Sequence, residues 1–319
     1  MRKLFPLAAA LVAAVLIQAS PAFGHPPVEC TGEMTGTIEA DLVVPSGATC
    51  VLTDAHVTGD VVVESSARLD ALNTRIEGDI DCSGGPSAEE RWCDLLPGTV
   101  VEGRGIARAG GELHLHGGQI LGNVRAEPDS VFLSSPVENL FPEASGFVGG
   151  NVRCDRCIFV DLVRTTVEGN VRIRGEADGS FIAEGSEIFG SLEIARSAAG
   201  SFSFSVVGTT IHGNFRFERN TGPTEIRDNV IDGNLLIIRN DVAGAFCPPD
   251  APAEECPIFE NGHVTGNQVG GSLRLIANEG PLELRDNRIE GDLRCARNDP
   301  PPAGGGNVAS RKTGQCSAL

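Results

Sequence analysis

Along most of the chain, apolar and polar residues alternate around a glycine that returns about every twenty positions. Aligned on Gly150, Gly169, Gly213, Gly233, Gly271 and Gly291, the segments read GNVRC, GNVRI, GNFRF, GNLLI, GSLRL and GDLRC. Weaker copies start at Gly59, Gly78, Gly122 and Gly190; a first copy, GTIEA, lies at 36–40 and a degenerate one surrounds Gly103. Two residues before the glycine stand Val57, Ile76, Ile120, Val148, Val167, Ile188, Ile211, Ile231, Val269 and Ile289, all apolar and β-branched. Two after it stand Val61, Ile80, Val124, Val152, Val171, Leu192, Phe215, Leu235, Leu273 and Leu293, and four after it the residue is again mostly apolar or Cys. That alternation marks a strand with one buried face. The glycine between the two apolar positions marks a bend where no side chain fits, or where φ is positive. A second strand precedes each copy, as in TEIRDN at 224–229 and LELRDN at 282–287.

Glycine-to-glycine spacings of 19, 19, 21, 23 and 20 in the clean stretches suit one turn of a coil. Each coil would bury its apolar columns against the same columns above and below, so stability comes from stacking. The sequence therefore predicts an all-β chain, a right-handed parallel β-helix (β-solenoid) of about 12 coils, a rod about 55 Å long. Small polar residues four before the glycine (Thr165, Ser186, Thr209, Asn229, Asn267 and Asn287) are expected to form a hydrogen-bonded ladder inside a bend. The rhythm breaks between 78 and 103, 122 and 150, and 233 and 271. The last gap contains FCPPDAPAEECP, too rich in Pro and acid for a strand.

At the N-terminus, Arg2 and Lys3, an apolar run over 7–17 and small residues before Ala22 and Gly24 predict a secretory signal peptide. The run is too short to span a bilayer, and no membrane span is expected in the mature protein. The expected organisation is a signal peptide over 1–24, a β-helix over 25–295 with a loop insertion at 241–260, and an irregular C-terminal cap over 296–319. Ten cysteines in an exported chain point to disulfides. Cys82, Cys154 and Cys295 share an inward column but lie coils apart, so each must pair locally. The expected pairs are Cys30–Cys50, Cys82–Cys93, Cys154–Cys157, Cys247–Cys256 and Cys295–Cys316. CDRC at 154–157 sits in a strand and has no second CxxC, which argues against redox or zinc chemistry there.

The formal charge of −18 falls further, to −20, once Arg2 and Lys3 leave with the signal peptide. Nucleic acid and anionic membranes repel such a chain, so neither is an expected partner. Three residues after the glycine, however, Arg125, Arg153, Arg172, Arg216, Arg274 and Arg294 recur, interrupted by Glu193 and Leu236. These outward arginines are the candidate ligand-binding residues, since spaced guanidinium groups suit an anionic glycan. The competing reading has Glu168, Glu225, Glu283 and Glu290 neutralise them. His114 and His116 alternate with Leu113 and Leu115 and are expected to face solvent; no third ligand stands nearby in sequence, so no metal site is expected there. Carboxylates such as Asp228, Asp232, Asp286 and Glu290 recur with the repeat, as a solvated face does, whereas an active site is a local exception.

The repeat N-x-I-x-G-[ND]-L-x-C, the ending PAGGGNV and the final Cys316 resemble secreted β-helix repeat proteins of actinobacterial type, most strongly over 224–316. At repeat level the coils are also similar to those of bactofilins, which implies a polymer-forming scaffold. The leader and the stapled ends depart from that family. Pectin-degrading β-helix enzymes carry NTD, paired Asp, GHG and RIK motifs, none of which occurs here. The expected function is a secreted, non-catalytic structural or glycan-binding protein of the extracellular space or cell envelope, monomeric and without a cofactor. Its expected partner is an extracellular or cell-wall polysaccharide. The alternative is a polysaccharide lyase or glycoside hydrolase of the pectin-lyase-like type.

Overall fold

Whether the alternating segment runs straight through its glycine or turns there decides the cross-section of the coil. In the computed structural model it turns. The structure describes residues 26–84, 92–108, 110–134, 144–175, 179–183, 185–199, 203–242, 244–245, 258–259 and 262–319. The signal peptide expected over 1–24 and the Cys247–Cys256 pair lie outside these residues.

The fold is a parallel β-solenoid with three strand faces per turn. Strands after each glycine, such as Val171–Arg174 and Leu235–Ile238, build a 14-stranded parallel sheet. The second face holds strands such as Thr224–Arg227 and Leu282–Arg285, and the third holds two-residue strands such as Val230–Ile231. The second and third faces are joined in one 23-stranded network, because the long strand Thr49–Val57 pairs with both Arg68–Leu72 and Arg75–Ile76. What the sequence presents as one alternating strand is thus two strands on adjacent faces, with the glycine at the corner. A period of two is preserved across the bend because both flanking side chains point inward.

The two apolar columns stack in register. Val57, Ile76, Val101, Ile120, Val148, Val167, Ile188, Ile211, Ile231, Val269 and Ile289 are successive partners in one ladder. None is more than 3% exposed. Each such side chain contributes about 1.5–3 kcal/mol through burial. The degenerate copy around Gly103 is a full coil, with Val101 in the seam. The first copy is shifted from its expected position. Ile38 pairs with Val57 and Leu42 with Val61, so Ala40 occupies the glycine position, while Gly36 lies at a register irregularity with φ +78°.

Polar side chains occupy the corners. At the junction of the second and third faces the expected ladder is present and buried, with Asn229, Asn267, Asn287 and Asn307 joined by Nδ2–Oδ1 hydrogen bonds. A second buried ladder links Asn240, Asn278, Asn298 and Gln315 between the first and second faces. Just after the glycine an exposed ladder runs through Asn123, Asn151 and Asn170, each donating to the one before it.

Four of the expected disulfides close: Cys30–Cys50, Cys82–Cys93, Cys154–Cys157 and Cys295–Cys316, with Cα separations of 5.5, 6.2, 5.7 and 5.2 Å. The segment 296–319 is not irregular. Ala303–Gly305 pairs with the second face, Val308 bridges to Arg288 on the third, and Arg311–Gly314 adds the last strand of the first. Pro and Gly suppress the apolar signal there, but Asn298 and Asn307 keep the corners. In the long gap the chain leaves the coil after Val242, forms a short antiparallel pair between Gly244–Ala245 and Ile258–Phe259, and re-enters at Gly262.

Candidate functional site

In-register stacking brings residues about 20 apart in sequence to about 4.8 Å apart across the wall, so each outward column is a row of potential ligand contacts. On the first face Arg125 pairs with Arg153 and Arg153 with Arg172, three consecutive coils without interruption. They line a groove of about 700 Å³ together with Arg104, Arg108 and Glu193. Along one edge runs the exposed ladder of Asn123, Asn151 and Asn170, which also lines the groove.

The other three candidates are not part of this groove. Arg216 stands between Glu193 and Leu236 and is ion-paired with Glu218 on its own strand. Arg274 and Arg294 are partners on adjacent coils and line a second cleft of about 550 Å³ with Arg311 and Asp292.

Neutralisation takes a different form from the expected one. Glu225 and Glu283 lie on the second face and pair with Arg227 and Arg285. The carboxylates beside the stripe are two residues along the same strand or one coil up: Glu127 at 3.6 Å from Arg125, Asp155 paired with Arg153, and Glu193 at 3.6 Å from Arg172. Arg172 Nε and Arg174 Nε are buried and donate to no acceptor. Of the two, Arg172 lines the groove, and the nearest carboxylate to its Nε is Glu193 at 3.6 Å.

Sequence reasoning missed Arg104 and Arg108. It also missed a second basic column, Arg156, Arg196, Arg219, Arg239 and Arg297, all exposed at the corner between the first and second faces. The signal was available, since each stands six residues after a repeat glycine. Each has φ between 56° and 61°, a conformation that usually selects Gly or Asn.

His114 and His116 point away from the core but are not open to solvent, with side chains only 12% and 15% exposed. The cause is the neighbouring coil. Asp94 is the in-register partner of His114, and its Oδ1 lies 2.9 Å from His114 Nδ1 and 3.7 Å from His116 Nε2. Glu112 approaches His114 Nε2 at 3.2 Å, and Trp92 stacks on the imidazole at 6.5 Å. Burial pushes the imidazolium towards losing its proton, but the hydrogen bonds to Asp94 and Glu112 outweigh it and the pKa rises to about 9. A folded-state pKa above the unfolded value stabilises the fold fully below the unfolded pKa, and that contribution is lost as pH rises through about 9. Metal-free protein is therefore expected to lose thermal stability between about pH 6.5 and 9, and H114Q to lose less over that window. Parallel melting curves for the two proteins, taken in chelator, check this.

Asp161 is a carboxylate with no charged neighbour in its outward column. Its outward column neighbours are Leu133 and Phe181, its Oδ1 is buried without a hydrogen-bond partner, and burial raises its pKa to about 7.

Compared with family models, curated proteins and solved structures, the chain gives no match. Among the described residues no helix is long and apolar enough to cross a membrane.

Proposed function

We propose that this protein is a secreted, non-catalytic β-solenoid that binds an anionic polysaccharide of the extracellular space or cell wall along its first face. One observation carries the reading: Arg125, Arg153 and Arg172 stand on three consecutive coils in one groove, on a chain whose net charge is −18. Their regular spacing suits a repeating ligand, and guanidinium groups suit carboxylate or sulfate by paired hydrogen bonds. The asparagine ladder offers amides for sugar hydroxyls. Four cystine bridges fit an oxidising compartment.

The test is affinity for polygalacturonate and for a sulfated glycan, measured across a salt series. The triple variant R125A/R153A/R172A is expected to bind at least about 100-fold more weakly, since a hydrogen bond to a charged group contributes about 1.5–3 kcal/mol. R274A/R294A is expected to retain most of the affinity. Equal binding by wild type and the triple variant would reject the groove.

A second reading, a pectin-lyase-like lyase or hydrolase, has one observation in its favour. A carboxyl with a pKa near 7, as at Asp161, is suited to general acid–base work. New reducing ends or unsaturated products released from the same glycans, and lost in D161N, would put this reading first.

A further inference from the structure

We propose that Asp94, His114 and His116 form a binding site for a divalent transition-metal ion of the zinc, copper and nickel class, with a fourth position open to water or to Glu112. The site is separate from the arginine groove and does not depend on it.

The argument starts from strand geometry. Residues two apart on a strand project to the same side, so the HxH pair presents both imidazoles on one face of the wall, pinned by Leu113 and Leu115, which are buried. Parallel in-register stacking then sets residue 94 directly against residue 114, and residue 94 is an aspartate. Each of the three side chains offers one ligand atom, and these atoms all lie within 4.8 Å of one another. Ligand atoms around a tetrahedral zinc at about 2.0–2.1 Å stand roughly 3.3 Å apart. The present separations from Asp94 Oδ1, 2.9 Å to His114 Nδ1 and 3.7 Å to His116 Nε2, bracket that value, so small side-chain rotations admit the ion.

Donor chemistry narrows the choice of metal. Two imidazoles and one carboxylate favour zinc, copper or nickel over calcium and magnesium, which take oxygen ligands. Among the described residues no other group of three His, Cys, Asp or Glu side chains converges in this way. His56, His212 and His263 have carboxylate neighbours, but none belongs to such a group of three among the described residues.

Without metal, the His114 proton occupies the same negative pocket, held between Asp94 and Glu112. The other groups around the site are Asp70, which pairs in register with Asp94 from the coil before, and Leu133, which pairs with His114 from the coil after. Arg68 binds Asp70 and lies over the Trp92 ring at 4.9 Å. An ion that ligates His114 must displace its proton, so binding at neutral pH releases acid.

Trp92 is the only tryptophan in the chain and stacks on the ligand imidazole at 6.5 Å, which makes it a built-in reporter. Full-length protein stripped with chelator is titrated with Co²⁺ and Cu²⁺ at neutral pH while tryptophan fluorescence is followed. Zn²⁺ is titrated by calorimetry in two buffers of different ionisation enthalpy. The expected result is a saturable quench with one ion per chain, reversed by chelator, and proton release with Zn²⁺. H116A and H114A are each expected to weaken binding by at least about 100-fold, beyond what losing an outer-shell partner costs. H263A, on a distant coil, is expected to bind as wild type does. Circular dichroism verifies that the variants fold, and the visible spectrum of bound Co²⁺ in wild type reports the ligand set independently. No saturable quench up to millimolar ion, or undiminished binding by folded H116A and H114A, would overturn the site.

Discussion

Replacement of Gly233 by alanine is expected to destabilise the solenoid by about 3–5 kcal/mol, more than the roughly 1–3 kcal/mol typical of core overpacking, because the clash is with backbone. An added Cβ would lie 2.5 Å from the carbonyl oxygen of Gly213 and 2.9 Å from its carbonyl carbon, both backbone atoms that cannot rotate away. The same carbonyl accepts the Gly233 N–H at 3.0 Å, so relief of the clash requires the two coils to part where they are hydrogen-bonded. The expected φ alternative does not apply at this position, because Gly233 is not in the left-handed region. Close approach alone selects the glycine, and it does so along the whole column: Gly190, Gly213, Gly233, Gly271 and Gly291 each face the carbonyl of the one before. Gly32 is the control, since its Cβ would meet nothing within 4 Å; G32A is expected to change stability by less than about 0.5 kcal/mol. Denaturant unfolding of G233A and G32A beside wild type decides the matter. Similar midpoints for the two variants would refute the close-packing account.

The glycine column also explains why the seam and the bend were legible in the sequence and the division into two strand faces was not. Branched apolar residues at −2 and +2 appear at every copy because both point into the same dry interior, and a stacked architecture repeats that demand once per coil. Nothing in the alternation says that Ile231 and Leu235 belong to different faces, since the inward direction is shared. Register was legible wherever coils are uniform. It failed at the first copy, where Ala40 stands in the glycine position and the only nearby glycine of the motif, Gly36, lies four residues earlier at a one-residue register shift.

The candidate sites follow the same rule. Arg125, Arg153 and Arg172 were legible as neighbours because they hold one position in three successive repeats. Asp94 was not legible as the partner of His114. The irregular spacing between Gly78 and Gly103 hides the count that would align residue 94 with residue 114. Arg156 and its equivalents went unnoticed because they lie beyond the alternating segment, at a corner conformation where arginine is not the usual choice.

Substitution of Asn267 by leucine is the second change with a large expected effect, again about 3–5 kcal/mol. Asn267 is fully buried, and its amide serves three neighbours at once. Its Nδ2 donates to the Ile226 carbonyl at 2.9 Å and to Asn287 Oδ1 at 2.9 Å, and its Oδ1 accepts from Asn229 Nδ2 at 2.9 Å. Leucine matches the volume but strands the Ile226 carbonyl and the Asn229 amide inside the coil, at about 1–3 kcal/mol for each unsatisfied group. Threonine should cost much less. Thr209 occupies the same corner two coils earlier and directs its hydroxyl to the Ile182 carbonyl at 3.3 Å, so the fold already accommodates that residue in the ladder. The ordering wild type, then N267T, then N267L in chemical denaturation separates hydrogen-bond satisfaction from shape. If N267L proved as stable as N267T, the corner would be held by packing, and the asparagine ladder would be a by-product of repetition instead of a cause of stability.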